Sequence, residues 1–520
     1  MKRYVLGVHS GHDSSACLFC DNQLVIAIEK ERLSRKKHDS GEPIECIEYI
    51  LKEAELEYSD IDLVVRVNWF NSNELNDEYY KVFKNVIVRY EHHLFHAYAV
   101  TLVMDGEGII YIVDGRGCRP KDNGEKSNMD IFETESVYKY DGCIISALEK
   151  KYAEHIVGEY KWGSHMDSIG YIYADVSRMI FQDYNAAGKV MALASYGRTN
   201  SNIPPIIKYD NDDIFSVSKE WLQFLNQQEF PIDYHSQLAK DISYSLQNEV
   251  EKYFEFRVNT LISKYKSNSI AISGGVALNC KNNGELMRKC NIDKLGIFPA
   301  CGDNGISVGA AVWAIRELYH DRRKLKWRFD LGKTYSKLNQ SKVDIEKIVD
   351  LIYKGNVVGI FENGSEYGPR ALCNRSLLAL PSKGMKDYLN MKVKKRERFR
   401  PFGGVVLERN IGKLTRETVS NDYMLIAVKA RDDIIRTLPD LVHIDGTIRI
   451  QVVREDRKNT SIYRILDILE RKYGSFLLIN TSFNDKGEPI VEQPDEAIST
   501  AKKIGVKYIL LNGIIERVMW

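Results

Sequence analysis

The sequence lacks a strong net charge, any long apolar run and all but one close pair of cysteines. Its 520 residues carry 73 basic and 72 acidic side chains, for a formal net charge of +1. That balance creates no global field to draw in nucleic acid or an acidic membrane, although local patches remain open. No hydrophobic stretch approaches the roughly 20 residues needed to span a bilayer. The opening MKRYVLGVHSGHD has a basic pair and a short apolar run but no small-residue cleavage site. A secretory signal is therefore not expected, and the protein reads as cytoplasmic. Of nine cysteines, only Cys17 and Cys20 are close, and no second pair completes a zinc site. They lie in a strand pattern that sends the two thiols to opposite faces, so plain buried thiols are expected.

What is present is organised as alternating strands and helices, over a length too great for one core. A strand at 4–8 is followed by a hairpin, SACLF and LVIAIEKE, joined at CDNQ. EPIECIEYILKEAEL has helical spacing, and IDLVVRV is a further strand. From Gly108 the design partly repeats: GIIYIVDGRGC is a strand ending in Asp114 and Gly115, DIFETESVYKYDG alternates, and a helix is predicted from about CIISALEKKYA. Such weak duplication suits a two-lobed fold with a cleft. Residues 199–234 read as an irregular polar insertion, and a long amphipathic helix is predicted over 236–264. SIAISGGVALNCKNN and LGIFPACGDNGISVG each read as strand, glycine turn and helix. The basic, aperiodic 321–337 is a linker candidate, with a domain boundary near 335 and a new α/β unit beyond it.

Several polar groups sit where such a fold binds ligands. VHSGHDSSA packs His9, His12 and Asp13 into a turn between apolar strands. In EHHLFHAYA, His92 and His96 are four apart and share a helix face, the spacing of two imidazoles on one metal. Alone, HxxxH is weak. Asp114 and Asp303, in turns after apolar strands, would stand at strand C-termini where α/β sheets bind ligands. Two imidazoles and two carboxylates suit Fe(II), Mn or Zn without choosing among them. SGGVALN, with Gly274, Gly275 and Asn279, offers backbone N–H groups at a helix start, and AAGKVMALASYG brings Lys189. Further on, Arg370, Arg375, Lys394, Arg396, Arg400 and Arg449 fall in Gly- and Pro-rich turns, with Asn480, Thr481 and Asn484 in INTSFND. The bland reading is a solvated basic face. Placement in turns beside strands favours guanidinium binding of a small polyanion. The aromatic interleaving of an RNA platform is sparse.

GHDSSACLF, ERLSRKKH, HHLFHA, VDGRG, SGGVALN, GDNG, YGPRALCNRS, RERFRPF and NTSFNDKGEPI, in that order through nearly the whole chain, resemble the NodU/CmcH carbamoyltransferases. The resemblance implies an α/β and α+β chain: a duplicated, two-lobed actin/sugar-kinase (ASKHA, TsaD-like) domain over 1–335 and a YrdC-like domain over 336–520. It implies that the second domain makes carbamoyl adenylate from carbamoyl phosphate and ATP, with Mg for the ATP. The first would pass the carbamoyl group to a hydroxyl of a small natural product, releasing AMP. His12 would be the general base, Asp13 would orient it or contact the substrate, and Lys37 would lie near the carbamoyl group. His92, His96, Asp114 and Asp303 would hold the metal, which in the family is iron. Gly115, Lys189, Gly274, Gly275 and Asn279 would hold the adenylate. Arg370, Lys394, Arg396, Arg400, Arg449, Asn480, Thr481 and Asn484 would bind carbamoyl phosphate and ATP. The sequence departs from the family pattern at Arg116, Ser195 and Cys373, beside these positions rather than on them. No nucleic-acid or membrane partner is expected, and a homodimer is left open. The alternatives are a tRNA threonylcarbamoyl-type transferase, which the neutral charge disfavours, and a catalytically silent nucleotide-binding regulator, which the retained His12 and metal histidines disfavour. An ordinary sugar kinase would have no use for the C-terminal half.

Overall fold

Continuous apolar runs make the central strands, because a strand covered on both faces has no polar side to show. In the computed structural model, which describes residues 2–68, 77–124, 129–209, 215–335, 345–418 and 422–518, the chain is a mixed α/β protein with three large sheets. The first sheet contains β1 (Tyr4–His9), β2 (Ser15–Cys20), β3 (Gln23–Glu29), β4 (Leu63–Val67) and β5 (Val86–Arg89), in the order 3-2-1-4-5. β1 pairs antiparallel with β2 and parallel with β4.

The second sheet contains β6 (Gly108–Val113), β7 (Ile131–Tyr140), β8 (Ile145–Val157) and β9 (Ser164–Met166). After a small separate hairpin, β10 (Ile207–Lys208) and β11 (Ser216–Val217), it is completed by β12 (Ser269–Ser273) and β13 (Lys294–Gly296). The order 8-7-6-12-13 repeats that of the first sheet, again with antiparallel pairs on one side and parallel pairs on the other. β6 and β1 thus occupy equivalent central positions, and each delivers polar residues from its C-terminal end.

Three local expectations need correction. The segment at 143–153 does not begin a helix; it enters the 13-residue strand β8. Its partner decides this: Lys151 lies opposite Glu135 in the ladder and ion-pairs with it at 3.5 Å, and Lys150 pairs with the buried Glu133. Cross-strand pairing here overrides local preference. Residues 199–234 are not merely irregular, since they carry the β10–β11 hairpin and a helix, Lys219–Gln227, whose Trp221 and Leu225 are fully buried. The strand before Asp303 is only three residues long. The long helix runs Gln237–Tyr265, capped by Ser236, close to its expected span.

The third sheet has eight strands: β14 (Val358–Phe361), β15 (Arg375–Ala379), β16 (Gly403–Leu407), β17 (Ala427–Lys429), β18 (Thr447–Val453), β19 (Leu477–Ser482), β20 (Tyr508–Leu511) and β21 (Ile514–Arg517), in the order 17-18-16-19-15-14-20-21. Helices Ile345–Tyr353 and Ser461–Tyr473 bury their apolar stripes on one face of it. The stretch from 321 to 335 is bound, with bridges from Lys326 to Gln23 and from Asp330 to Glu366. The expected boundary adjoins 336–344, outside the described residues.

The motifs themselves bind the two halves together. Tyr367 and Gly368 insert against the N-terminal half: Gly368 N–H donates to Glu29 Oε1 at 2.6 Å, and the Gly368 carbonyl accepts from the buried Arg32 at 2.9 Å. A Cβ on Gly368 would stand 2.7 Å from the Pro299 carbonyl, so only glycine fits. Arg35 donates to the carbonyls of Pro489 (2.9 Å) and Ile490 (2.7 Å), and Asn283 donates to the Leu425 carbonyl at 2.8 Å.

Candidate functional site

Two helix starts and one strand end converge to make the first cluster. His92 opens helix His92–Val100, Asp303 precedes helix Ile306–Trp313, and Asp114 follows β6. The helices touch backbone to backbone: a Cβ on Gly309 would lie 1.8 Å from the Phe95 carbonyl oxygen. Asp114 Oδ1 accepts from the amides of Gly115 (2.7 Å) and Gly275 (3.2 Å), which turns Oδ2 toward the imidazoles. Asp114 Oδ2 stands 3.1 Å from His92 Nε2 and 3.2 Å from His96 Nε2; Asp303 Oδ1 stands 3.4 and 3.5 Å from the same atoms.

The four donor atoms lie within 4.8 Å of one another, and the two histidines are buried. Two imidazole nitrogens 3.2 Å apart that face two carboxylate oxygens form a donor set that fits a divalent cation. Burial lowers the His92 pKa, but Asp303 and Asp114 more than offset it and raise it to about 10. His96 is raised for the same reasons, and both carboxyls are held below their usual range despite burial.

The turn at 10–14 presents His12 and Asp13. His12 Nδ1 lies 3.0 Å from Asp13 Oδ2, and the imidazole is 35% exposed, leaving Nε2 clear of that contact. Burial works against the charged ring, but the hydrogen bond and charge of Asp13 prevail and raise the His12 pKa to about 9. His9 is different: fully buried, bonded through Nε2 to the His12 carbonyl at 3.1 Å, and lowered by burial to about 4. The third imidazole here, His38, was not among the residues picked from sequence. It sits 2.9 Å from the other oxygen of Asp13.

The glycine loop lies beside the cluster, because Gly274 and Gly275 follow β12 next to Asp114. Asn279 caps helix Cys280–Lys289 by accepting from Asn282 N at 3.0 Å. Its amide donates to Tyr173 at 3.0 Å and Gln247 at 3.1 Å, so structural partners already occupy it. Lys189 lies 3.4 Å from Glu397, across the junction of the halves.

Arg370, Lys394, Arg396, Arg400 and Arg449 gather in a basic cluster of the C-terminal half, close enough to act on one another's charge. Burial first, and then Arg400 and Arg449, push Arg396 well below its usual pKa; burial and Arg449 push Arg370 down to about 10. Burial, then Arg396, Arg400 and Lys37, depress Lys394, and burial, joined by Arg449, lowers Arg400. Lys37, from the N-terminal half, thus lies near this cluster. Arg370 reaches the Leu278 carbonyl of the glycine loop at 3.4 Å. Lys394 Nζ donates to the carbonyls of Ser482 (2.9 Å) and Asn484 (2.8 Å). Asn480 donates to Gln451 Oε1 at 2.7 Å, while its own buried Oδ1 has no hydrogen-bond partner among the described residues. Thr481 lies half-buried beside it on β19. Arg375 does not join the cluster: it is fully buried, donates to the Glu362 carbonyl at 2.8 Å and stacks on Phe361. Sequence reading also missed Gln451, although strand alternation puts it on the same face of β18 as Arg449.

A histidine–aspartate turn thus stands near a four-donor cluster, and one glycine loop touches both that cluster and Arg370 of the basic group. Comparison with known proteins gives the class. The family described as carbamoyltransferase N-terminus matches residues 4–81 and 73–312, and carbamoyltransferase C-terminus matches 349–517. The chain belongs to the carbamoyltransferase family and is a carbamoyltransferase. It is 28% identical to the nodulation protein NolNO of Sinorhizobium fredii, across 94% of this chain and 76% of that one. It is 27% identical to the 3'-hydroxymethylcephem-O-carbamoyltransferase of Amycolatopsis lactamdurans, across 62% of this chain and 63% of that enzyme. An uncharacterized protein of Methanocaldococcus jannaschii matches 99% of the chain at 28% identity and is itself covered completely. Among solved structures, full-length HypF in its phosphate- and nucleotide-bound form aligns at a TM-score of 0.41 and 14% identity, covering 61% of this chain and 56% of that one; at that distance the likeness bears no functional weight.

Proposed function

We propose that the chain is an ATP-dependent O-carbamoyltransferase working in two stages. In the basic cluster, carbamoyl phosphate, water and ATP, with Mg, give carbamoyl adenylate, phosphate and pyrophosphate: water splits the acyl phosphate, and an oxygen of the carbamate so formed displaces pyrophosphate from the α-phosphorus of ATP. At the His12 turn, a hydroxyl of a small natural product attacks the carbamoyl carbon, the carbon–oxygen bond to AMP breaks, and the hydroxyl proton passes to His12 Nε2. Asp13 holds Nδ1 and so fixes the ring for that transfer. This reading assigns the two similar sheets to a duplicated actin/sugar-kinase-type domain and the eight-stranded sheet to a YrdC-like one.

The observation that carries it is Arg370. Its guanidinium touches the glycine loop that braces Asp114, while the charges of Arg449 and Arg400 act on it from its other neighbours in the cluster. Five mutually repelling cations suit a triphosphate and an acyl phosphate, whose negative charge relieves them. His92, His96, Asp114 and Asp303 would hold a divalent metal, iron on the family resemblance. Such an ion would supply positive charge against the adenylate phosphate. The glycine-loop amides and Lys189 would bind the rest of that adenylate.

The test is direct. Metal-replete protein incubated with ATP and carbamoyl phosphate should release pyrophosphate, and AMP should follow when a hydroxyl acceptor is added. If no AMP forms across a broad panel of hydroxyl acceptors, the proposal fails.

A further inference from the structure

Asp13 is gripped from both sides. Oδ2 meets His12 Nδ1 at 3.0 Å and Oδ1 meets His38 Nδ1 at 2.9 Å, while the two rings stack at 5.3 Å with 20° between their planes. Both nitrogens point at the carboxylate, the pattern of two donors sharing one acceptor group. The backbone brings the two segments together without the imidazoles. Ser14 N–H donates to the Asp39 carbonyl at 3.1 Å, Ser14 Oγ donates to the Gly41 carbonyl at 2.6 Å, and His38 N–H donates to Glu31 Oε2 at 2.9 Å. Asp13 (φ 53°) and His38 (φ 56°) are both held in the left-handed region that L-residues avoid. Both partners of one contact thus hold a backbone conformation that is uncommon outside glycine.

We infer that His38 is a positioning residue for carbamoyl transfer: by occupying Oδ1 it fixes the Asp13 carboxylate so that Oδ2 alone receives His12 Nδ1. This rests on the reading of His12 as the base. A carboxylate with one oxygen already bonded is the weaker acceptor for the second donor. His38 therefore both orients His12 and restrains how tightly its proton is held. Asp303 and Asp114 also act on His12 from across the site, and Glu31, Lys37 and Asp39 lie around His38; all stay in place in the variants below.

Removing the His38 donor should strengthen the His12–Asp13 bond and raise the His12 titration midpoint. Deuterium exchange at the imidazole C2 position, followed across pH by fragment-resolved mass spectrometry, reads that midpoint without any acceptor. H38A should move it up by about half a unit to one unit. H38Q, whose amide can still donate to Asp13, should return most of the shift. H38F keeps a stacked ring without the donor and should behave as H38A does; it carries the comparison if H38A does not fold. With ATP, carbamoyl phosphate and glycerol as a probe acceptor, H38A should release AMP several-fold more slowly, with pyrophosphate release unchanged. A His12 midpoint identical in wild type, H38A and H38F overturns the role of His38. Wild-type protein that releases no AMP with glycerol or with any of a broad panel of hydroxyl acceptors instead overturns the functional reading beneath it.

Discussion

The His12–Asp13 turn is legible in the sequence as ionisable residues between apolar strands, and the family resemblance singles out His12 within it as the base. His38 could not be picked, because its link to Asp13 spans 25 residues and exists only once the segments are folded together. The same limit applies to Asn279, whose place in a glycine turn suggested a ligand but whose side chain caps a helix and binds Tyr173 and Gln247. The pH behaviour of His12 follows from its partner. Its pKa is raised to about 9, so the protonated form dominates at neutral pH, and the neutral form that can accept a proton grows as pH rises. Transfer should therefore speed up with pH toward a plateau above about 9. Asp13→Asn removes the first raising influence, so the limb should move down toward the ordinary imidazole value while the plateau falls about tenfold or more. His12→Ala should abolish the limb altogether. The check is the pH–rate profile of AMP release; a limb unmoved in Asp13→Asn would show that another group titrates.

At the scale of elements, helix His92–Val100 was legible because HxxxH is a local pattern, whereas β8 was not, because the glutamates that define it lie on another strand. Convergence of the two helix starts was also hidden, since it depends on Gly309, one glycine in an apolar helix. Two helical glycines make a matched experiment. A Cβ on Gly309 meets the Phe95 carbonyl oxygen at 1.8 Å, whereas a Cβ on Gly188, in helix Ala187–Ala194, meets nothing within 4 Å. Gly309→Ala should cost about 2–3 kcal/mol by forcing the helices apart. Gly188→Ala should stabilise by about 0.5–1 kcal/mol, because alanine loses less backbone freedom on folding. Denaturant unfolding measures both. Since His92 and Asp303 stand at the starts of the displaced helices, Gly309→Ala should also lose bound divalent metal under dialysis, and Gly188→Ala should retain it. Equal stability of the two variants would mean that the helix contact yields more easily than a backbone-to-backbone packing allows.

For the whole molecule, composition foretold several units and an even charge, but not how thoroughly the motifs interlock. Residues that looked like separate binding signatures also serve as joints: Arg35 on the Pro489 and Ile490 carbonyls, Lys281 on Asp445 at 3.2 Å, and Tyr367 on Ser307 at 3.0 Å. Arg32 is the critical one. It is almost wholly buried, stands 3.6 Å from Glu29, and donates to the Gly368 carbonyl. If the halves parted, Gly368 would withdraw its amide from Glu29 and its carbonyl from Arg32, costing each of these buried groups a hydrogen bond and opening the apolar junction to water. Neither half then keeps its native surroundings without the other, so they should melt together even though chains of this length usually unfold in stages. Calorimetry should show one endotherm whose calorimetric and van't Hoff enthalpies agree. Arg32→Ala should leave the Gly368 carbonyl and Glu29 without their partner and lower the melting temperature by several degrees. It should also split the endotherm, because the joint between the halves is then weaker than either sheet. Two resolved transitions in the wild-type protein would mean that the glycine and arginine contacts close the junction without coupling the halves.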